Sequence, residues 1–472
     1  MRRQKETIKN SKNSDGDEPE GYRGALRKRL IRERIRTWSK VRITKGKATY
    51  EGLLLPRSQH TADAYVTLKV DTGYNLGVLI DDNTRIEETG HQKGHYQLPH
   101  IDVEFRKELP NVTLLGTGGT VASRLDYRTG AVLPAFTPEE LFSAVPELVS
   151  IVNLTPKTLY QILSENFRPE YWVKTAEAIA KEIESGVDGV IIGHGTDTMC
   201  TTGAALSYFL RNLPVPVVLV GSQRSSDRPS SDGPRNILYA AKLAGHANFA
   251  ETVICMHGGT SDSYNLVHRA TRCRKMHSSR RDTFRTLDDI PLGKIDESGV
   301  TWFKDDIRSR GPAEDFYLDT KIDTRVGMLY SYPGMNPDIL DSMIDLGYHG
   351  IVIIGTGLGH VGTDLYPPLE RCQEEEIPVV LVVEPLFGYI HLRVYETGRD
   401  MLARGVIEGG NMLPSAAYTK LIWVLGHTRN IEEVKKLMQT PVAGEITARE
   451  SPRGFMLLQG VELGIDQILR NL

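Results

Sequence analysis

Two apolar runs that stop at glycine-rich, hydroxyl-bearing loops constrain the fold of this chain most strongly. Residues 190–199 read VIIGHGTDTM, and residues 112–120 read VTLLGTGGT. Each run has the length of a buried strand and is followed at once by glycine and threonine. Open α/β sheets build their sites at the carboxyl ends of such strands. The two junctions therefore predict a sheet that gathers threonine hydroxyls and the Asp197 carboxylate at one edge.

The chain from about residue 110 onward alternates between strand and helix patterns. This alternation is typical of a mainly parallel sheet with helices on both faces. Predicted strands lie at 112–116, 187–193, 215–221 and 251–256, and predicted helices at 170–185, 198–211 and 234–246. After a polar stretch the pattern returns, with strands at 325–331, 350–354 and 378–383 and helices at 336–347 and 364–375. A second, smaller α/β domain is therefore expected.

The first hundred residues have a different character. Residues 1 to about 20 are polar and are predicted to be disordered. The next twenty are rich in arginine, with leucine and isoleucine at helical spacing, so a short basic amphipathic helix is expected. That helix is either simply solvated or docks RNA or a partner. Short apolar runs separated by turn residues then predict a small all-β module.

The predicted organisation has five parts. They are a basic, partly disordered extension (1–40), a small β-barrel-like domain (41–100), a large α/β domain carrying the catalytic residues (110–305), a linker (306–323) and a smaller C-terminal α/β domain (324–472).

Composition excludes several classes of protein. A net charge of -3 over 472 residues predicts no general attraction to nucleic acid. The four cysteines form no CxxC pair, which argues against a disulfide framework or a zinc site and favours a reducing compartment. His91, His95 and His100 are loosely spaced without a completing carboxylate or thiol, so a polar linker is favoured over a metal site. With no apolar segment of membrane-spanning length and no signal-peptide core, we expect a cytoplasmic protein without a membrane partner.

The glycine-rich loops do not match a nucleotide-binding motif. A GxGxxG pattern starting at Gly116 would need glycine at position 121, which is Val121, and no P-loop pattern occurs in the chain. We therefore expect no NAD or ATP site here. The glycines instead favour close backbone approach around Thr120.

The residues at the two junctions suit hydrolysis of an amide. That reaction needs a nucleophile, a base, a proton for the departing ammonia and stabilisation of an oxyanion. Thr196 and Asp197 place a hydroxyl beside a carboxylate, and a nearby lysine would act as base or polarise the hydroxyls. The structural alternative is that strand-end threonines only cap the helices that follow.

The segments TGGTVA at 117–122 and HGTDTM at 194–199 resemble the two motifs of the bacterial-type asparaginase/glutaminase family. Residues 111–472 follow that family's order of elements. The resemblance implies an asparaginase-like two-domain parallel-sheet core. It also implies that Thr120 is the acylated nucleophile and that Tyr127 belongs to a mobile loop closing over it. Thr196 and Asp197 would then belong to a second triad that relays protons and holds the substrate.

The resemblance assigns the remaining site residues. The family's lysine falls in a segment matching RKMHSSRRDTF at 274–284, and counting back from the phenylalanine gives Lys275, with Lys242 as a remote alternative. Ser164 and Glu165 match the loop that grips the substrate's α-carboxylate and α-amine, although alone they also suit a helix cap or a solvated loop. Gly119 and Gly195 are assigned to substrate binding. The backbone N–H groups of Gly119 and Thr196 are the expected oxyanion donors.

The family's site is completed by a loop from a neighbouring protomer. The matching loop here is 355–360, in which His360 stands where the family usually has asparagine. The resemblance therefore implies a homodimer through the asparaginase-like core, with a two-fold interface.

The N-terminal module carries a second resemblance. YEGLLLPR at 50–57 and VDTGYNLG at 70–77 look like the N-terminal domain of the archaeal D-subunit family of glutamyl-tRNA(Gln) amidotransferases. This implies a glutaminase or asparaginase that supplies ammonia to an E subunit, in a heterotetramer of two D and two E subunits. The E subunit would bind Glu-tRNA(Gln) and hold ATP and Mg, so this chain itself would carry no cofactor or metal.

Two other functions compete with this one. The first is a free-standing L-asparaginase with an appended β module, and the second is an inactive scaffold. The residues do not rank glutamine against asparagine, because one methylene in a pocket changes selectivity by only ~10–200-fold.

Overall fold

The computed structural model describes residues 19–57, 62–71, 75–91, 105–118, 123–126, 131–134, 141, 145–224 and 230–449. These residues divide into two compact units. The first holds the N-terminal part up to residue 99, and the second holds nearly all of the rest.

The first unit is a five-stranded antiparallel sheet with one helix. Its strands run in the order β4–β3–β2–β1–β5. Its elements are α1 (Gly24–Arg32), β1 (Ser39–Lys45), β2 (Ala48–Leu54), β3 (Tyr65–Lys69), β4 (Asn75–Leu79) and β5 (Thr84–His91). Strand β1 alternates buried and exposed residues, which is the pattern of a strand with one face on a core. This confirms the predicted all-β module and adds β5, which was not predicted.

The basic N-terminal segment contributes to the core of that sheet. Leu26 and Leu30, on one face of α1, are buried in the same apolar cluster as Val41 and Ile43 of β1. Tyr22 is buried there too, and its hydroxyl donates to the Leu55 carbonyl at 2.8 Å. The boundary placed at residue 40 stays a prediction, and this packing favours moving it toward the N-terminus.

The second unit is built on an eight-stranded sheet in the order β18–β17–β14–β13–β12–β10–β6–β9. The five strands from β9 to β13 are parallel, and β14, β17 and β18 extend the sheet in antiparallel fashion. The strands are β6 (Asn111–Gly116), β9 (Asn153–Thr158), β10 (Gly189–Gly193), β12 (Val217–Val220), β13 (Thr252–His257), β14 (Asn265–Arg269), β17 (Gly293–Asp296) and β18 (Gly299–Trp302). The predicted parallel core is confirmed.

The central strands are buried on both faces. All five residues of β10 and all four of β12 are buried, which explains why they read as continuous apolar runs rather than alternating ones. The helices connecting or following these strands are α2 (Pro169–Glu184), α3 (Met199–Phe209) and α4 (Gly233–His246). Each begins within a residue or two of its predicted start.

The C-terminal part forms a parallel four-stranded sheet in the order β20–β21–β22–β23. Its strands are β20 (Val326–Tyr330), β21 (Gly350–Gly355), β22 (Val379–Val383) and β23 (Ile407–Glu408). Its helices are α5 (Asp338–Asp345), α6 (Tyr366–Glu374), α7 (Glu396–Ala403), α8 (Pro414–Leu425) and α9 (Ile431–Gln439). One apolar cluster runs without a break from the eight-stranded sheet through α8 to β21 and β22.

Three short pairings complete the described elements. They join β7 (Ser123–Asp126) to β8 (Ala131–Pro134), β11 (Leu210–Arg211) to β19 (Tyr317–Leu318), and β15 (Cys273–Lys275) to β16 (Phe284–Thr286). Among the residues that the structure describes, no helix is both long and apolar enough to cross a bilayer, and no cluster of metal-ligating side chains is found. The four cysteines are buried free thiols.

Candidate active site

The two predicted strand–loop junctions are neighbours in the sheet. Strands β6 and β10 pair in parallel and end together, with Gly116 opposite Gly193. Thr117 is fully buried, and both its N–H and its Oγ1 donate to the Gly193 carbonyl at 2.9 Å. Because that hydroxyl is committed to tying the two strand ends together, Thr117 is a structural threonine.

Gly118 requires glycine at its position. Its φ is +110°, in the region that L side chains rarely adopt, and an added Cβ would collide with the Ile162 carbonyl oxygen. The backbone thus passes close to the segment after β9. The next two residues, Gly119 and Thr120, lie outside the described residues, as does Tyr127.

Lys275 meets both residues of the second junction. Its Nζ donates to Thr196 Oγ1 at 3.0 Å and to Asp197 Oδ1 at 2.6 Å. The lysine side chain is 15% exposed and the Asp197 side chain 65% exposed, so the pair lies at a protein–solvent boundary. Lys242, the alternative, lies on α4 with its Nζ 5.9 Å from the Tyr239 ring centroid. The geometry therefore favours Lys275 over Lys242.

The β15–β16 hairpin positions Lys275. Lys275 pairs with Phe284 across the hairpin, and Phe284 is fully buried. At the start of β15, the buried Arg272 guanidinium donates to the carbonyls of Asn411, Glu445 and Leu287 at 2.7–3.0 Å. The lysine therefore extends from an element that is anchored at both ends.

Ser164 lies directly against Gly195. A Cβ on Gly195 would stand 2.7 Å from both Cβ and Oγ of Ser164, so only glycine allows this approach. Thr198 Oγ1 also donates to the Ser164 carbonyl at 2.7 Å, which fixes the short 3₁₀ turn Ser164–Asn166 beside the Thr196 loop. Ser164 is buried and Glu165 is exposed. The predicted substrate-gripping residues therefore lie beside the threonine–lysine pair.

His194 was not predicted as a site residue, yet it shapes the loop. Its ring is fully buried and packs against Phe167, with centroids 4.4 Å apart. Burial lowers its pKa to about 4, so the ring is neutral near pH 7. Nδ1 lies 2.7 Å from the Gly195 carbonyl, a pure acceptor, and Nε2 lies 2.9 Å from Thr202 Oγ1. The proton is therefore on Nδ1, and Nε2 accepts from the threonine.

The loop of the smaller sheet that was expected to reach a neighbour forms a tight turn. Thr356 and His360 bond to each other's backbone at 2.8 Å in both directions. Within the described part of the chain, neither ring nitrogen of His360 has a hydrogen-bond partner. Both nitrogens are buried in the chain, and the ring packs edge-on against Tyr395 with centroids 5.4 Å apart.

A group of polar side chains behind Thr196 was also missed. Asn236, His257, Asp262 and Arg281 are joined by hydrogen bonds, although they come from separate elements. The only signal in the sequence is that His257 ends an apolar strand next to two glycines. This signal did not separate a site residue from an ordinary strand end.

Three family models match this chain. The N-terminal domain of asparaginase matches residues 111–308, the glutaminase/asparaginase C-terminal domain matches 325–438, and the GatD N-terminal domain matches 35–88.

Curated relatives match most of the chain. The D subunit of glutamyl-tRNA(Gln) amidotransferase from Thermococcus kodakarensis is 51% identical over 401 residues, which cover 84% of this chain and 91% of the relative. The D subunit from Pyrococcus furiosus is 48% identical over 413 residues, covering 87% and 94%. The D subunit from Methanobrevibacter smithii is 44% identical over 440 residues, covering 92% and 99%.

Two solved structures resemble most of this chain. The thermostable L-asparaginase of Thermococcus kodakarensis superposes with a TM-score of 0.64 at 31% identity, covering 71% of this chain and 99% of that structure. L-asparaginase I of Vibrio cholerae gives a TM-score of 0.64 at 25% identity, covering 72% and 99%. Each match covers nearly all of the asparaginase and less than three quarters of this chain.

Proposed function

The chain belongs to the family of glutamyl-tRNA(Gln) amidotransferase D subunits, and we propose that it hydrolyses the side-chain amide of glutamine or asparagine to supply ammonia to a partner in the complex. The partner uses this ammonia to convert Glu-tRNA(Gln) to Gln-tRNA(Gln). The observation that carries the proposal is the contact of Lys275 with both Thr196 and Asp197 at the carboxyl edge of the sheet.

In the proposed reaction the Thr120 hydroxyl attacks the amide carbonyl. An ester forms between Thr120 and the acyl group, the C–N bond breaks, and the nitrogen leaves as ammonia after taking up a proton. Water then hydrolyses the ester and regenerates the hydroxyl. Backbone N–H groups of Gly119 and Thr196 would stabilise the oxyanion in both steps. Tyr127 would close over Thr120 and exclude water.

Thr196, Lys275 and Asp197 act together in proton movement and substrate orientation. Because Thr196 Oγ1 accepts a hydrogen bond from Lys275, its own proton is directed to another group. Asp197 Oδ1 also accepts a hydrogen bond from the lysine, at 2.6 Å. One lysine amine thus donates to a hydroxyl and to a carboxylate, which places it to move protons at the threonine hydroxyl.

The proposed binding site for the α-carboxylate and α-ammonium of the substrate consists of Ser164, Glu165 and Gly195. The Ser164 hydroxyl would donate to the α-carboxylate, and the Glu165 carboxylate would accept from the α-ammonium. Their support is the close approach of Ser164 to Gly195 and the exposure of Glu165. These contacts bind both amides equally, so they leave the choice between glutamine and asparagine to the rest of the pocket.

We further propose a cytoplasmic assembly of two D and two E subunits. Two D subunits would pair through their asparaginase-like cores, with loop 355–360 of each reaching the other's site. The matches to both asparaginase domain models support this arrangement. Glu-tRNA(Gln), ATP and Mg would bind mainly at the E subunits.

The test is an amidase assay on the complex. We expect the chain to co-purify with an E subunit and its glutaminase activity to rise when that partner and Glu-tRNA(Gln) are added. Thr120→Ala should abolish that activity while leaving the complex intact. Fast hydrolysis of free asparagine, unaffected by the partner and tRNA, would instead favour a free-standing asparaginase.

A further inference from the structure

A chain of hydrogen bonds begins behind Thr196 at Asn236 of α4. The Asn236 Nδ2 donates to the Gly221 carbonyl and to Asp232 Oδ2, both at 2.9 Å. Since both of these partners are acceptors, they fix which end of the amide is the NH₂ group. The other end, Oδ1, is therefore an acceptor, and it faces His257.

His257 lies fully buried at the end of β13, between two acceptors. Its Nδ1 is 2.6 Å from Asn236 Oδ1, and its Nε2 is 2.9 Å from Asp262 Oδ1. A neutral ring donates at one of these two contacts, and a doubly protonated ring donates at both. Burial lowers the pKa of His257, while the hydrogen bond to Asp262 and the charge of Asp232 oppose that effect. The net effect is a lowered pKa. The ring bridges a fixed amide and a carboxylate, with one nitrogen within hydrogen-bond distance of each.

The series of hydrogen bonds ends on the loop that follows Lys275. Asp262 Oδ1 also accepts from Arg281 NH1 at 2.7 Å, and Arg281 NH2 donates to the Thr260 carbonyl. Arg281 belongs to the loop 276–283 that joins β15 to β16, and Met276 N–H closes this loop on the Thr283 carbonyl at 2.8 Å. Asp262 therefore holds the loop immediately after the lysine.

The other end of this hydrogen-bond series, at Gly221, lies against Thr196. A Cβ added to Gly221 would stand 2.9 Å from Thr196 Cγ2 and 2.8 Å from the His194 carbonyl, so this backbone packs directly behind Thr196. Together with the Lys275–Thr196 hydrogen bond, these contacts form a closed path. It runs from Thr196 through Lys275, the loop, Arg281, Asp262, His257 and Asn236 back to the Gly221 backbone.

We propose that His257 and Asp262 are positioning residues that hold Lys275 in reach of Thr196. The inference rests on the proposed role of that pair in amide hydrolysis. A lysine has a flexible four-carbon stem, and its ion pair with the largely exposed Asp197 restrains it weakly. The hydrogen-bond chain fixes the loop that directly follows the lysine and so restrains the backbone from which its side chain extends. Neither residue needs to touch the substrate.

The test uses Asp262, whose side chain is 54% exposed and can be truncated without opening the core. We expect Asp262→Ala to lower kcat by about tenfold, with KM changed less than about twofold, because small misplacements of a catalytic group cost this much or more. Asp262→Asn keeps the acceptor oxygen and should stay within about threefold of the native kcat. Melting temperatures of both variants should match that of the native protein.

The matched control is Glu297→Ala, which removes another exposed carboxylate paired with an arginine, Arg235, at 3.3 Å. It should leave kcat unchanged. The proposal is overturned if Asp262→Ala also keeps kcat within about twofold of the control. It is equally overturned if kcat falls only in step with the melting temperature in both Asp262 variants.

A second measurement separates this inference from the proposed function. Amide hydrogen exchange in residues 276–283 of the full chain should be faster in Asp262→Ala than in the native protein and Glu297→Ala. Unchanged exchange would overturn the positioning role. If the chain hydrolysed neither amide but its exchange still became faster in Asp262→Ala, the positioning role would be supported. Only the proposed function would then be contradicted.

Discussion

Lys275 is the residue on which the geometry of the candidate site converges. Thr196 and Asp197 are adjacent in sequence, so their proximity needs no tertiary structure. The lysine comes from 78 residues beyond Asp197 and reaches both side chains. Its placement is therefore the part of the site that only the fold can provide.

Replacing Lys275 by methionine should lower kcat for amide hydrolysis by about 10²–10⁴-fold, since a positioned acid–base group contributes this much. Lys242→Met is the matched control, because Lys242 lies over the Tyr239 ring on α4 and contacts neither Thr196 nor Asp197. Steady-state kinetics of both variants, with circular dichroism to check folding, make the comparison. Equal losses in the two variants would contradict the assignment.

Burial of His194 predicts a stability that depends on pH. Its pKa falls from 6.5 in the unfolded chain to about 4 in the fold, so the unfolded state binds the extra proton more readily in that interval. The stabilisation is complete above pH 6.5 and is lost as the pH falls toward 4. At pH 5 the loss amounts to about 2 kcal/mol.

Urea unfolding of the native chain and of His194→Gln at pH 7 and pH 5 measures this effect. We expect the difference between the two pH values to shrink by about 2 kcal/mol in the variant. His246→Gln, at an exposed histidine that contacts the Ile151 carbonyl, is the matched control for the substitution itself. The same difference in the native chain and His194→Gln would contradict the prediction.

Sequence reasoning at the residue level was limited by how far apart the partners lie. Thr196 and Asp197 could be selected because a strand end and a glycine flank them, and Lys275 because a motif marks its segment. His257 and Asp262 could not be selected. Their importance depends on which way the Asn236 amide is turned, and two acceptors on other segments decide that orientation.

At the level of elements, buried apolar strands were predicted and polar ones were not. Strands β6, β10, β12 and β13 are continuous apolar runs, and their bounds lie within two residues of the predicted ones. Strand β14 is fully buried too, yet its sequence, NLVHR, is mostly polar. Its burial is supported by partners from other elements: Thr286 bonds His268 at 2.8 Å, and Glu251 binds Arg269 at 2.7 Å. A hydrophobicity pattern does not show that distant residues will hydrogen-bond these polar side chains and so allow their burial.

The C-terminal end of the described chain is held to α8 by a buried ion pair. Lys420 Nζ lies 2.5 Å from Glu445 Oε1, and both side chains are fully buried. Lys420→Met leaves the Glu445 charge without its counterion, so we expect the free energy of unfolding to fall by about 3–5 kcal/mol. Lys294→Met is the control, because it breaks a partly exposed pair with Asp296 and should cost about 0–1 kcal/mol.

Denaturant unfolding of the two variants gives both free energies. The variant Lys420→Met/Glu445→Gln, which removes the charge of both partners, should recover part of the loss, since no buried charge then remains. Similar small losses of unfolding free energy in Lys420→Met and Lys294→Met would show that the buried ion pair contributes little to stability.

At the scale of the molecule, the two units have separate cores and should unfold separately. Leu30 of α1 is fully buried in the first unit, whereas the neighbouring Ile31 is 44% exposed. Leu30→Ala should lower the stability of the N-terminal unit by about 2–5 kcal/mol, and Ile31→Ala by less than about 0.5 kcal/mol. In scanning calorimetry we expect only one of two transitions to move. A single transition that shifts as a whole would contradict separate unfolding.

The unbroken apolar cluster that joins the eight-stranded sheet, α8 and the smaller sheet has a mechanical consequence. Two domains joined only by a linker are expected to swing, but a large hydrophobic interface prevents this motion. The two sheets of the catalytic core should therefore move as one rigid body, without a hinge at residues 306–323. Entry of the amino acid and release of its products should therefore not depend on motion between the two sheets.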